Sequence, residues 1–392
     1  MKIAYLTSYA SDDLGKWSGT GYFMHRALRE SGLAVTSVGR LRNLRLPISI
    51  MKKLFYGKLR DLQYLVDRDA ALLRSYARQA ERRLSAMACD LVFSPGTLPL
   101  AELNCARPMV FWTDATFAGL LDFYPEYTGL CGETLRSGQA AEQAALDKCS
   151  LAIYSSEWAA ASALANYRVD SDKVKVVPFG ANLEDAPDAR RIDAMVESRP
   201  TTPVQLLFVG VDWQRKGGDT ALATAGELNR RGLETHLHVV GCRPPVEPAP
   251  AWLHVHGRLD KGRPDDWSRL KGLLAAAHFL IVPTRAECFG LVFAEASAFA
   301  LPSLTFRVGG TASAVFDGEN GFLFKVDQTG QDYAEKILEA IGDRERYEAL
   351  CRSSFECYQK CLNWRVAGGS VRRLLETTVG ASKGERDGEE KR

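Results

Sequence analysis

Two carboxylates stand eight positions apart in the stretch PTRAECFGLVFAEASAFA, Pro283 to Ala300: Glu287 and Glu295, set in a run otherwise rich in apolar and small residues. Burying an acid there without a partner is costly, so the pair asks for a ligand or a counter-charge. FLIVP before it reads as a buried strand, TRAECFG as the loop leaving its carboxyl end, and LVFAEASAFA as a helix opening after Gly290. Glu287 then lies on the loop. Glu295 lies in the first turns of the helix, whose side chains lean back toward the same end. Between the acids, Cys288, Phe289, Gly290, Leu291 and Val292 form the turn into the helix. Unpaired amides at a helix start suit a phosphate, and Gly290 leaves room for close approach. A carboxylate accepts the two hydrogen bonds that a vicinal diol donates. The pattern asks for sugar, phosphate and sugar in succession, which is a nucleotide sugar. The competing reading is a solvated loop acid beside a helix-surface charge.

Arg215 and Lys216 follow the apolar run VQLLFVG and precede Gly217, Gly218 and Asp219. Two fixed cations at a strand end can stabilise the charge that grows on a departing diphosphate, where other enzymes use a divalent metal ion. Read alone, an Arg-Lys pair is more often a solvated surface.

In the first half, Ser18, Gly19, Thr20 and Gly21 precede the helical pattern YFMHRALRESG and could offer amides to a phosphate or an acceptor; the alternative is a plain turn. The spacing is not a dinucleotide fingerprint, since Met24 stands where a small residue is needed. FWTDATF runs as a strand into Asp114, either an acceptor for a sugar hydroxyl or a cap on the next helix. Asp67-Arg68-Asp69 matches an Asp-x-Asp metal motif literally but lies in a stretch that reads as continuous helix.

The elements that must position these residues alternate. Runs at 3–9, 34–38, 91–94, 109–112, 151–156 and 174–178 read as strands between helices, and a second set lies at 204–210, 235–241, 252–257, 279–283 and 302–306. Such alternation predicts parallel sheets covered on both faces, in two doubly wound α/β domains. Ligands of such sheets lie beyond the carboxyl ends of the strands, where the residues above stand. The expected layout is a domain over 1–183, a polar, proline-bearing linker or loose helix over 184–203, a domain over 204–363, a helix near 364–379 packing back on the first domain, and a disordered charged tail over 380–392.

The glutamate pair resembles the E-x7-E motif of retaining GT-B glycosyltransferases, specifically glycosyltransferase family 4. FVGVDWQRKGGDTAL (208–222), LHVVGCRP (237–244), HVHGRL (254–259) and LPSLTFRVGGTASAVFDGENGFLF (301–324) resemble further segments of that family, covering nearly all of 204–326. The resemblance implies two Rossmann-like domains facing a central cleft, and transfer of a sugar from a nucleotide diphosphate sugar, most commonly a UDP-sugar. The acceptor it implies is a hydroxyl of a glycan or lipid-linked glycan, with anomeric configuration retained and no metal or other cofactor. It assigns Glu287 to the donor sugar, Glu295 to the ribose, Arg215 and Lys216 to the diphosphate, and Arg258 and Leu259 to the base. It also favours a ligand role for Gly19, Thr20 and Gly21. Two positions depart from the family: Asp114, where members often carry histidine, and Ala300, where a glycine usually precedes the proline. An epimerase of the same fold and an inactive nucleotide-sugar-binding protein are the alternatives.

Composition narrows the partners. The 392 residues carry 50 Lys and Arg against 48 Asp and Glu, a net charge of +2 that gives no global pull toward nucleic acid. No stretch is long and apolar enough for a membrane span, and the N-terminus does not read as a signal peptide, so a cytoplasmic protein is expected. Nine cysteines without a CxxC pair read as reduced packing residues, Cys351, Cys357 and Cys361 included. From Arg40 to Arg83 twelve Lys or Arg meet four acids among apolar residues. This stretch is either a solvated helical insertion or a peripheral contact with an anionic membrane at its inner face.

Overall fold

A computed structural model describes residues 1–389. The chain divides into two compact units: Met1–Pro178 joined by the helix from Ala367 onward, and Phe179–Val366.

The first unit is built on a six-stranded sheet whose order is β2-β1-β3-β4-β5-β6. Its strands are β1 (Lys2–Leu6), β2 (Ala34–Val38), β3 (Leu91–Ser94), β4 (Met109–Thr113), β5 (Leu151–Tyr154) and β6 (Val174–Val176). All pairs are parallel, with Ile3 opposite Val35 on one side and Leu91 on the other. β3, β4 and β5 are buried along their whole length, as strands covered on both faces must be. Helices Ala70–Ser85, Gly132–Lys148 and Glu157–Asn166 contribute Leu84, Leu146 and Ala163 to the core beside Phe111 and Tyr154.

The second unit carries β7 (Val204–Val209), β8 (Thr235–Val240), β9 (Leu253–Gly257), β10 (Phe279–Ile281), β11 (Ser303–Phe306) and β12 (Gly321–Phe324). Their order is β12-β11-β10-β7-β8-β9, again all parallel. Successive strands grow outward from β7 in one direction, then cross over and grow outward from β10 in the other. The crevice between β7 and β10 is therefore the topological switch point, where ligands of open α/β sheets bind. Phe208, Ile281, Leu304 and Tyr333 centre its core.

All eleven expected strands form. β12 is an additional one, opened by Gly321, which is needed because a Cβ there would lie 2.0 Å from the Ser303 carbonyl oxygen.

The segment expected as a linker is part of the second unit. Its helix, Ala189–Ser198, buries Ile192 and Val196 in that core, an i, i+4 pair that polar neighbours hide from a composition reading. Arg199 just beyond it is 3% exposed, and its guanidinium donates to the carbonyls of Phe299 and Ala300 at 2.9 and 2.8 Å. Those carbonyls end the helix that carries Glu295. Ala300 there has φ +50°, the left-handed conformation that explains a glycine preference at this position.

Two further expectations are corrected. The stretch around Asp67 is not one helix: Asp69 has extended backbone and caps the helix Ala70–Ser85 through the Leu72 amide at 2.9 Å. The last helix, Trp364–Glu389, passes through residues 380–389 instead of giving way to a loose tail, because Ala, Lys, Glu and Arg favour helix even without an apolar face; residues 390–392 lie outside the described residues. Where that helix meets Thr20–Glu30, a Cβ on Gly368 would lie 2.6 Å from the Ala27 carbonyl oxygen, and Arg372 donates to the Ser31 carbonyl at 2.6 Å. This is the packing expected for residues 364–379.

Candidate functional site

The loops leaving β7 and β10 are zipped together at the switch point. The strands are already neighbours, with Leu206 opposite Phe279 and Leu207 opposite Leu280. Gly217 then caps the helix Gly218–Arg230 at φ +75°, and a Cβ on it would stand 1.9 Å from the Pro283 carbonyl oxygen. Only glycine satisfies both demands. The Arg285 amide donates to the Arg215 carbonyl at 2.7 Å, the Arg285 guanidinium to the Gln214 carbonyl at 2.6 Å, and the Arg215 guanidinium to the Ala286 carbonyl at 3.0 Å.

One step further along both loops, the Lys216 ammonium is hydrogen-bonded to Glu287 Oε2. The side chains are 13% and 12% exposed, so the pair sits in a largely desolvated niche. Its lysine stem runs over Gly210, where a Cβ would meet Lys216 Cγ at 2.8 Å. Asp212 shapes the turn below by accepting from the Arg215 amide at 2.9 Å, while Trp213 donates to Asp219 at 2.6 Å. The Glu287 carbonyl accepts from the Gly310 amide at 2.9 Å, which fixes the loop from the other side.

Glu295 lies in the helix Leu291–Ser297, opened by Gly290 at φ +93° as expected, though the helix stops at Ser297. The carboxylate is 7% exposed and is held by the Lys261 ammonium from the loop after β9. Cys288 and Phe289 are buried beneath the turn, Leu291 and Val292 are half-buried at the helix start, and Arg258 and Leu259 follow Gly257 at the carboxyl end of β9, Arg258 exposed. The structure thus brings Lys216 and Glu287 into direct contact and holds Arg215 beside them on the Ala286 carbonyl. It puts Glu295 at the other end of the Gly290 turn, with Lys261 between it and the β9 loop.

Asp114, Gly19, Thr20 and Gly21 belong to the first unit. Asp114 follows β4 and accepts from the Trp17 indole at 3.3 Å. Trp17 and Ser18 have φ of +49° and +53°, a left-handed conformation that costs a non-glycine residue on the order of 1–3 kcal/mol and is commonly kept for function. The helix begins at Thr20, two residues earlier than the pattern suggested, so Thr20 and Gly21 are buried in its first turn rather than in an open loop. The Thr20 hydroxyl donates to the Trp17 carbonyl at 2.7 Å, and the Tyr5 hydroxyl to the Gly21 carbonyl at 2.8 Å.

Lys261 and Trp17 were not legible as site residues. Lys261 sits in the polar loop DKGR, whose composition suits any surface turn, and Trp17 gains its place only through the strained loop after β1. Four histidines form a second unforeseen feature on β8 and β9. His238 Nδ1 and His256 Nε2 are 2.9 Å apart, as are His254 Nε2 and His236 Nδ1, and the rings stack at 4.9 to 5.2 Å. Burial, then the neighbouring His254, His256 and His236, pull the His238 pKa down to about 4.

Asp69, from the Asp-x-Asp match, has a structural partner set: Lys52, Tyr64 and the Leu72 amide. Among the described residues no group of His, Cys, Asp and Glu is arranged to hold a metal ion, the nine cysteines are unpaired, and no helix is long and apolar enough to cross a membrane.

Residues 203–343 match the family model for glycosyl transferases group 1. The D-inositol 3-phosphate glycosyltransferase of Nocardia farcinica is 34% identical over 197 residues, covering 47% of this chain and 43% of that protein; the chain thus spans less than half the length of this relative. Sucrose-phosphate synthase from Thermosynechococcus elongatus superposes with a TM-score of 0.69 at 16% identity, over 97% of this chain and 99% of that one. HepE of Anabaena, crystallised with UDP-glucose, superposes with a TM-score of 0.61 at 15% identity, over 96% and 100% of the two chains. Two six-stranded parallel sheets and these likenesses agree on the architecture: the chain has the GT-B fold, and residues 203–343 are similar to the group 1 glycosyl transferases.

Proposed function

We propose that the protein is a retaining glycosyltransferase of family 4 type that moves a sugar from a nucleotide diphosphate sugar, a UDP-sugar first among them, to an acceptor hydroxyl of a glycan or lipid-linked glycan. The observation that carries the proposal is the meeting of Lys216 with Glu287 at the switch point between β7 and β10, inside the matched domain. A donor offers each of these groups a partner of its own: phosphate oxygens for the ammonium, sugar hydroxyls for the carboxylate. Lys216 and Arg215 take the diphosphate, Glu287 the transferred sugar and Glu295 the ribose, while Arg258 and Leu259 border the base.

In the reaction so proposed, the bond between the anomeric carbon and the phosphate oxygen breaks, and the oxygen leaves with the electron pair. The acceptor oxygen bonds to the same carbon on the same face, and its proton passes to the departing phosphate. The two cations stabilise the leaving charge in a desolvated niche without a metal ion. The curated relative bears the name D-inositol 3-phosphate glycosyltransferase, which makes an inositol phosphate the first acceptor to try.

The test is incubation with UDP-, GDP- and ADP-sugars, with and without inositol 3-phosphate or glycan acceptors, following nucleotide release and the anomeric configuration of the product by NMR. Acceptor-dependent release with retention supports the proposal. Release without acceptor points to an epimerase, and donor binding without any release to an inactive binder.

A further inference from the structure

The chain passes between the two units twice, at Pro178–Phe179 and at Val366–Ala367. On the second unit the two passages are fastened to each other. The Ala181 amide donates to the Leu362 carbonyl at 2.9 Å, and the Trp364 indole donates to Asn182 Oδ1 at 2.9 Å. Gly180 lets the backbones close up, since a Cβ there would lie 2.2 Å from the Trp364 amide nitrogen. Asn363 fixes the other passage by donating to the carbonyls of Tyr358 and Gln359 at 2.7 and 2.9 Å and accepting from the Val366 amide at 3.0 Å.

Phe179 joins this clasp to the candidate site. Its ring is 1% exposed, stacks on Trp364 with centroids 5.6 Å apart, and meets Phe289 edge to face at 5.5 Å. Phe289 is itself buried and stands in the chain between Glu287 and Gly290. Aromatic pairs of this geometry favour a fixed relation of the rings, and a close-packed interior transmits a displacement instead of absorbing it. The loop is confined on other sides too: the Glu287 carbonyl is held by the Gly310 amide, and a Cβ on Gly290 would meet Phe293 Cδ2 at 2.4 Å. We propose that Phe179 is a positioning residue, which seats Phe289 and through it sets the Glu287 carboxylate against Lys216. Cutting its ring back to a methyl leaves a cavity beside Phe289 into which the loop relaxes. The inference rests on the proposed donor site for its meaning in the reaction, whereas the geometry it asserts is that of the ion pair.

Two measurements test it. In the first, without ligand, urea denaturation gives the stability lost on Glu287→Gln in three backgrounds: wild type, Phe179→Ala and Leu228→Ala. Leu228 is as deeply buried but lies near the far end of the helix Gly218–Arg230. The loss should fall by about half or more in the Phe179→Ala background and stay unchanged in the Leu228→Ala background. Phe179→Leu, which keeps most of the bulk, should give a smaller fall, and it serves where Phe179→Ala does not fold. In the second, UDP-, GDP- and ADP-glucose are titrated into each protein. Phe179→Ala should bind the donor that wild type binds at least about tenfold more weakly, and Leu228→Ala should bind it as wild type does. The same Glu287→Gln loss in every background overturns the proposal, and so does equal donor affinity of Phe179→Ala and Leu228→Ala. Should wild type bind none of the three, the proposed donor site fails, and the first measurement still decides the role of Phe179.

Discussion

The Lys216 ammonium and the Glu287 carboxylate form an ion pair across the loops that leave β7 and β10. Because both are largely buried, removing one leaves the other charge stranded, at a cost of about 3–5 kcal/mol, whereas replacing both with neutral side chains of similar size is close to neutral. We therefore expect Lys216→Met or Glu287→Gln alone to lower stability measurably, and the double substitution to restore most of it in chemical denaturation. Turnover should stay at least about a hundredfold down in all three, since donor contacts are lost irrespective of folding. Recovery of activity along with stability in the double variant would reduce the pair to a structural role.

The second pair is asymmetric. Glu295 is 7% exposed and Lys261 39%, so a lysine without its partner can turn to solvent while the carboxylate cannot. Lys261→Met should cost about 2–3 kcal/mol and Glu295→Gln less than about 1. Urea denaturation of the two variants checks the order, and the reverse order would show that Glu295 is anchored by something other than Lys261.

Gly217→Ala should be far more damaging than Gly232→Ala. Both glycines have positive φ, but an added Cβ meets the Pro283 carbonyl oxygen at 1.9 Å in the first case and nothing within 4 Å in the second. The left-handed conformation alone costs about 1–2 kcal/mol, which is the whole effect expected at Gly232. At Gly217 the loops must also part, so donor affinity should fall with stability. Equal losses at the two sites would mean that the close approach of the loops is not enforced by glycine.

The histidine ladder predicts acid sensitivity. Burial comes first among the causes that hold the His238, His254 and His256 pKa values below 6.5, and it does the same for His278. A group whose folded pKa is depressed binds more protons when unfolded, so its stabilisation is complete above about 6.5 and is lost as pH falls toward the folded value, about 4 for His238. Melting temperature should fall between pH 7 and 5, and His238→Gln should flatten that slope. An unchanged slope would remove His238 as a source of it.

The sequence disclosed what is periodic or compositional. Eleven strands, the helix after Gly290 and the cation and acid positions at strand ends follow from short apolar runs and their punctuation. What it hid were relations set by tertiary contact. Ile192, Val196 and Arg199 look like linker residues until Phe299 and Ala300 supply the carbonyls that Arg199 caps. Lys261 becomes part of the site only because β9 ends near the Glu295 helix, and Trp17 because the loop after β1 twists into a left-handed path toward Asp114. The helix Leu46–Leu54 shows the opposite failure: its basic, apolar character was plain, but its apolar side faces outward because Lys52 is held by Asp69 and Glu133, far away in sequence.

Donor binding at the junction of β7 and β10 is the central claim, and thermal stabilisation by UDP-, GDP- and ADP-sugars tests it without knowledge of the acceptor. At a hundred times its dissociation constant, the right donor should add about 2.7 kcal/mol to wild-type stability, and much less to Lys216→Met measured at the same concentration. Equal stabilisation of wild type and Lys216→Met, or none by any donor, would contradict the account.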